Sequence, residues 1–194
     1  METLLKPGFH KILKMFYDNG NSPIHLRGIS RKTGMNENSA SRFLNSLVGS
    51  KILISEKSEG ARRFFVSERL KAPVFSLFDF EKFENLKYSI KKAIEDYISM
   101  RSSKPLCLIL YGSASRGHQK KDSDIDLLEI SDSSEKIYPI IKNIESQRGV
   151  RIQVTRISQD KLSFTLEKDN VFKSAVKTGF PVFGRDFFYG VIKK

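Results

Sequence analysis

Cysteine occurs once in the 194 residues, as Cys107, which excludes an internal disulfide and a cysteine-based zinc site. Its setting, LCLILY, reads as a strand in which the thiol is a small buried core group. Histidine occurs three times (His10, His25, His118), with no metal-ligand spacing. Long apolar runs are missing too. The longest is six residues, far short of the roughly 20 that cross a bilayer. METLLKPGFHKILKMF lacks the uninterrupted apolar stretch of a signal peptide. The expectation is a cytoplasmic protein with no membrane partner.

What the sequence has is positive charge. Hydrophobic residues make up 39% and charged residues 29%, an ordinary balance for a globular chain. The net charge is +12, a field that favours polyanionic partners such as nucleic acid or nucleotide phosphates. Residues 1–100 and 101–194 each hold 17 Lys+Arg and 11 Asp+Glu, so charge alone does not locate a nucleic-acid face.

The N-terminal pattern is helical. Phe9, Ile12, Leu13, Phe16 and Tyr17 form one apolar stripe, which DNGNSP ends. Ser22-Pro23 predicts the start of a second helix ending at Gly34. Asn36 predicts the N-cap of a third, with Ala40, Phe43, Leu44, Leu47 and Val48 on its apolar face. Asn38, Ser39, Ser41, Arg42 and Asn45 lie opposite. KILISEK and ARRFFVS flank SEG as a hairpin with Gly60 in its turn. This order, over Phe9 to Ser67, resembles a winged helix-turn-helix domain. The resemblance implies a third helix in the major groove of double-stranded DNA and a hairpin along the backbone. By position, Asn38, Ser39, Ser41 and Arg42 would then face bases, and Arg62 and Arg63 would meet phosphates. Winged helices also serve as protein-docking modules, so both uses stay open.

A helical pattern from about Asp79 to Met100 carries Phe83, Leu86, Ile90, Ala93, Ile94, Tyr97 and Ile98 on one stripe. It reads as a bridge packing against one or both domains, and a homodimer interface would also cover it. RSSKP closes it. The expected organisation is α+β: an N-terminal domain at 1–70, a linker helix at 71–103, and a mixed αβ domain with a small sheet at 104–194.

In that last domain LCLILY (106–111), DIDLLEI (124–130) and VRIQVTRI (150–157) read as strands. Asp132 and Glu135 read as a capping box for a helix over 133–147. Ser158 opens a further helix, and another over 170–178 leads to the strand FPVFG. Between the first two strands lies YGSASRGHQKKDSDID. Asp124 and Asp126 stand two apart, so both carboxylates leave one face. Side by side they repel unless a cation sits between them, and Mg²⁺ suits oxygen ligands of this kind. Gly112-Ser113 ends the preceding strand, where backbone N–H groups and a hydroxyl can hold a phosphate. A phosphate cradle beside a divalent-metal clamp suits phosphoryl or nucleotidyl transfer.

The residues Gly112, Ser113, Arg116, Gly117, Ser123, Asp124, Ile125, Asp126 and Leu127 resemble the minimal nucleotidyltransferases of the DNA polymerase β-like superfamily. The resemblance implies that Gly112, Ser113 and Arg116 bind the phosphates of an NTP substrate. It implies that Asp124 and Asp126 are catalytic and hold Mg²⁺, with Mn²⁺ as the alternative cofactor. The family places a third carboxylate on the next strand, where this sequence has Gln153, between Arg151 and Thr155. Two readings follow. One is transfer of NMP from an NTP to an acceptor, which in antitoxin relatives is a partner toxin protein. The other is a DNA-binding regulator whose nucleotidyltransferase-like domain senses nucleotide or is degenerate.

Overall fold

The computed structural model of this chain describes residues 6–58, 60–116 and 124–192. The chain separates into two units, Met1–Phe78 and Asp79–Lys194.

In the first unit, α1 (Pro7–Asp18) begins on a proline, whose missing N–H has no intrahelical partner to lose there. It buries Phe9, Ile12, Leu13, Met15 and Phe16. The helix expected at Ser22-Pro23 starts later. Ile24 and His25 first form a short strand, β1 (Ile24–His25), opposite Phe64 and Arg63. Pairing with a neighbouring strand, which local propensity cannot reveal, holds those two residues extended. Helix α2 (Leu26–Thr33) then runs to Gly34, at φ 69°. In α3 (Glu37–Gly49) the Asn36 side chain accepts from Ser39 N at 2.8 Å, and Ala40, Leu44 and Leu47 are buried. Strands β2 (Leu53–Ser58) and β3 (Ala61–Val66) form the expected hairpin, with Gly60 at φ 78° between them. The sheet order is β1-β3-β2, antiparallel throughout.

The single helix expected over 79–100 is two. Helix α4 (Glu68–Glu84) starts early and runs through Pro73, which as a breaker of the i→i−4 ladder hides it from sequence. The chain turns at 85–87, where Lys87 takes an extended ψ of 140°, before α5 (Tyr88–Met100). The stripe of α5 packs against one domain: Ile90, Ala93, Ile94 and Tyr97 lie in the core of the second unit, with Leu108, Leu110, Ile125 and Leu127. This part of the expected linker at 71–103 is thus a core element.

The second unit is built on β4 (Cys107–Tyr111), β5 (Ile125–Ile130), β6 (Ile152–Ile157) and β7 (Phe180–Phe183), in the order β6-β5-β4-β7. Strand β4 pairs antiparallel with β5 and β7, while β5 and β6 are parallel. The parallel step needs a crossover, supplied by α7 (Tyr138–Arg148). A single turn, α6 (Gly112–Ser115), follows β4 directly. Beyond β6 come a 3₁₀ turn at Gln159–Lys161 and α8 (Leu162–Lys168). Helix α9 (Asn170–Thr178) is capped by the Asp169 carboxylate on the N–H groups of Val171 and Phe172. No helix among the described residues is long and apolar enough to cross a membrane.

The capping box at Asp132 and Glu135 does not form. Helix α7 starts at Tyr138, because both carboxylates have stronger partners. Asp132 accepts from Gln159 N at 2.8 Å. Glu135 accepts from Arg101 Nε at 2.6 Å and from the Ser102 hydroxyl at 2.9 Å. Arg101 in turn reaches the fully buried Glu129 at 2.6 Å through Nη1. The Tyr97 hydroxyl donates to the same carboxylate. Arg156 Nε stands 3.0 Å from its other oxygen, as an ion pair without hydrogen-bond alignment. Two glutamates, two arginines and a phenol thus tie α5, β5, β6 and the 131–137 loop together.

Candidate functional site

The site forms where β4 ends and β5 begins. Register places Tyr111 opposite Asp126, so the chain leaves β4 at Gly112 directly beside that carboxylate. Gly112 has φ 72°, and a Cβ at this position would overlap the Asp126 carboxylate. Only glycine meets both demands at once. The turn of α6 is closed by the Ser115 hydroxyl donating to Gly112 O at 2.9 Å and by Arg116 N reaching Ser113 O at 3.3 Å. Ser113 is half-buried and Arg116 exposed. Helix α9 packs against β4 and α6.

Asp126 is half-buried on β5, and Asp124 stands immediately before the strand, equally half-buried. Burial pushes the Asp126 carboxyl above the usual carboxylate range, and the neighbouring Asp124 charge adds to it. Two coupled oxygen donors of like charge, with no ion pair to a described cation, have the donor chemistry that a hard divalent cation requires. Among the described residues no group of three His, Cys, Asp or Glu side chains converges as a metal cluster. Strand β6 adds no carboxylate to the pair. Gln153 is the register partner of Asp126, and since the strands are parallel its exposed side chain leaves the same face.

Gly112, Ser113, Asp124 and Asp126 therefore come together, with Arg116 at the end of their turn. Gly117 and Ser123, from the same motif, lie outside the described residues. The family described as nucleotidyltransferase domain matches residues 80–178, more than half of the chain. The chain belongs to that family. The match to the nucleotidyltransferase domain begins in α4 and ends with α9, so it takes in α5 and the whole site. A solved structure described as a crystal structure of a toxin-antitoxin with AMP-PNP shares 17% identity with the chain. It covers 51% of this chain and 80% of that one, with a TM-score of 0.38. No curated protein matches the chain.

The second group of expected site residues lies in the first unit and is divided by the fold. On α3, Asn38 and Arg42 are exposed, and Ser39 and Ser41 are half-buried. Ser41, Leu44 and Asn45 line one groove of about 490 Å³, with Ala61, Arg62 and Phe64 of β3 across from them. Ser39, Arg42 and Ser46 line another, of about 270 Å³, beside Phe9 and Phe43. Arg62 stacks on Phe64 at 5.1 Å and donates to Asn45 at 3.4 Å, which brings it to α3. Arg63 alternates to the other face of the hairpin, half-buried, with its neighbours His25 and Glu56 in register.

Sequence reasoning missed the Glu129 cluster. A signal was present: Glu129 lies three residues after Asp126, on the opposite parity, within an otherwise apolar strand.

Proposed function

We propose that this nucleotidyltransferase-family chain transfers NMP from an NTP to an acceptor with Mg²⁺, and that its first unit is a winged-helix module that binds duplex DNA. The observation that carries the catalytic half is the fit of Gly112 against Asp126. It brings backbone N–H groups suited to phosphate to the side of a coupled carboxylate pair. Asp124 and Asp126 would hold the cation, which when bound neutralises phosphate charge and polarises the reacting phosphorus. Gly112 and Ser113 bind the phosphates, and Arg116 steadies them from the end of the turn. Transfer of label from α-labelled NTP, lost in Asp124→Asn and Asp126→Asn, tests this half. Label that moves equally well in both variants would defeat it.

Support for the DNA half is the polar face of α3 and the Arg62 side chain drawn up against it. Duplex binding should weaken steeply with salt and lose about one unit of salt slope per phosphate contact removed. Because Arg63 leaves the opposite face, Arg62→Ala should matter more than Arg63→Ala. Binding that is insensitive to salt would remove the DNA reading.

One observation favours a second reading. Gln153, in register with Asp126, adds neither charge nor a proton acceptor. A nucleotide-sensing regulator would need only the binding half of the site. Nucleotide binding without label transfer to any acceptor, together with a shift in duplex affinity, would select that reading.

A further inference from the structure

We propose that three side chains of α3, Asn38, Arg42 and Asn45, are the base readers of the first unit, and that its preferred duplex carries a G·C pair with an A·T pair on either side. The proposal rests on the duplex-binding half of the reading above and names the specificity of that face.

At about 100° per residue, Asn38, Arg42 and Asn45 fall within a wedge of about 60° around α3. All three are exposed, so they form a ridge along the helix. The next position on that ridge is Gly49, which has no side chain, and the ridge ends at Asn45. Ser39 and Ser41 leave opposite flanks of it. Each is half-buried and lines a different groove, Ser39 with Phe9 and Phe43, Ser41 with Ala61 and Phe64. A short hydroxyl on a groove wall reaches less far than an exposed ridge side chain. The two serines are therefore left out of the reading set.

Both flanks carry a cation. Lys6 lines the groove that Arg42 shares, and Arg62 lines the groove that Asn45 shares. The order across α3 is cation, reader, cation, which matches phosphate, base edge, phosphate across a major groove. A protein-docking face would instead hold apolar or aromatic anchors at its centre. None of the exposed large apolar side chains among the described residues belongs to α3.

The base identities follow from donor and acceptor geometry. An asparagine amide offers one donor and one acceptor, matching N7 and the N6 amino group of adenine, and a guanidinium offers two parallel donors, matching N7 and O6 of guanine. Asn45 is oriented by Arg62, whose Nη1 donates to its Oδ1 at 3.4 Å, and that oxygen has a second lone pair. From Asn38 to Asn45 the helix rises about 10.5 Å, or about three base-pair steps of about 3.4 Å. Arg42 lies between the two asparagines, which puts the G·C pair between the two A·T pairs.

The test selects bound duplexes from a randomised library with the full chain, then measures affinity for the selected duplex and its single-pair changes. The expected motif has a G·C pair flanked by A·T pairs. Replacing the central pair should weaken binding by about 5- to 150-fold, the worth of a bidentate base contact. Arg42→Ala should erase that difference, and Asn38→Ala and Asn45→Ala should each erase the preference at one flanking pair. Each preference is a ratio between two duplexes bound by one variant, so partial loss of folded protein cancels. Arg42→Lys keeps the charge without the planar fork, and should lose the G·C preference while holding the salt slope. A motif without this pattern would overturn the proposal, as would a motif that shifts in Ser39→Ala or Ser41→Ala. So would an Arg42→Ala chain that keeps its preference and loses about one unit of salt slope, since Arg42 would then meet a phosphate. Salt-dependent binding with no preferred sequence overturns the proposal and leaves the DNA half standing. A chain that binds no duplex overturns both and leaves protein docking as the use of this module.

Discussion

Strand β5 carries two carboxylates three residues apart, and the fold treats them in opposite ways. Glu129 faces the core, fully buried, and meets Arg101, Arg156 and the Tyr97 phenol. Asp126 leaves the other face, half-buried, and among the described residues its recorded electrostatic neighbour is another carboxylate, Asp124. A buried charge that belongs to the scaffold brings its counter-ions with it, because desolvation is otherwise too costly. In the proposed function, the charge of Asp126 is left for a cation that arrives with the nucleotide. The same contrast shows in titration. Hydrogen bonds from Arg101 and Ser102 hold Glu135 down to about 2, whereas burial and Asp124 push Asp126 up.

The largest expected effect comes from breaking the scaffold side. Arg101→Ala leaves Glu129 buried with one fewer cation and should cost about 3–5 kcal/mol, measured by urea denaturation. A loss below about 1 kcal/mol would mean that the cluster is not the structural charge described here. Gly112→Ala acts on the seam with the site, forcing a side chain into φ 72° and into Asp126. It should cost about 1–3 kcal/mol and weaken nucleotide binding together with stability. Loss of one without the other would separate the turn from the carboxylate. The smallest effect is in acid. Because Glu135 has a folded pKa of about 2 against an ordinary 4.5, its stabilisation is complete above that ordinary value. It fades as pH falls toward 2. Asp126 runs the other way, since its raised pKa means that protonation relieves the folded state. Glu135→Gln should therefore flatten the loss of stability in acid and Asp126→Asn should not, by thermal melts across pH.

Much of this was legible in the residues. Asn36 as a cap, the hairpin about Gly60, α9 and the strand pair around Asp124 and Asp126 all follow from local rules. What escaped depends on distant partners. Strand β1 exists because β3 is beside it, α4 continues through Pro73, and Glu135 leaves its helix for Arg101. The division between Arg62 and Arg63 needs the hairpin's orientation toward α3. The site itself was legible as a motif, but the packing of Gly112 on Asp126 and the pairing of Gln153 with Asp126 required the sheet register.

The central claim of the proposed function is that Asp126, which has no ion pair among the described residues, is completed by a cation with nucleotide. Calorimetric titration of NTP into the wild-type chain and into Asp126→Asn, each with Mg²⁺ and with chelator, measures this directly. The wild type should bind only with Mg²⁺. Asp126→Asn should lose at least about 100-fold in affinity, comparable to removing one buried charge partner, while melting no lower than wild type. Equal binding by both chains, or binding indifferent to Mg²⁺, would contradict the account.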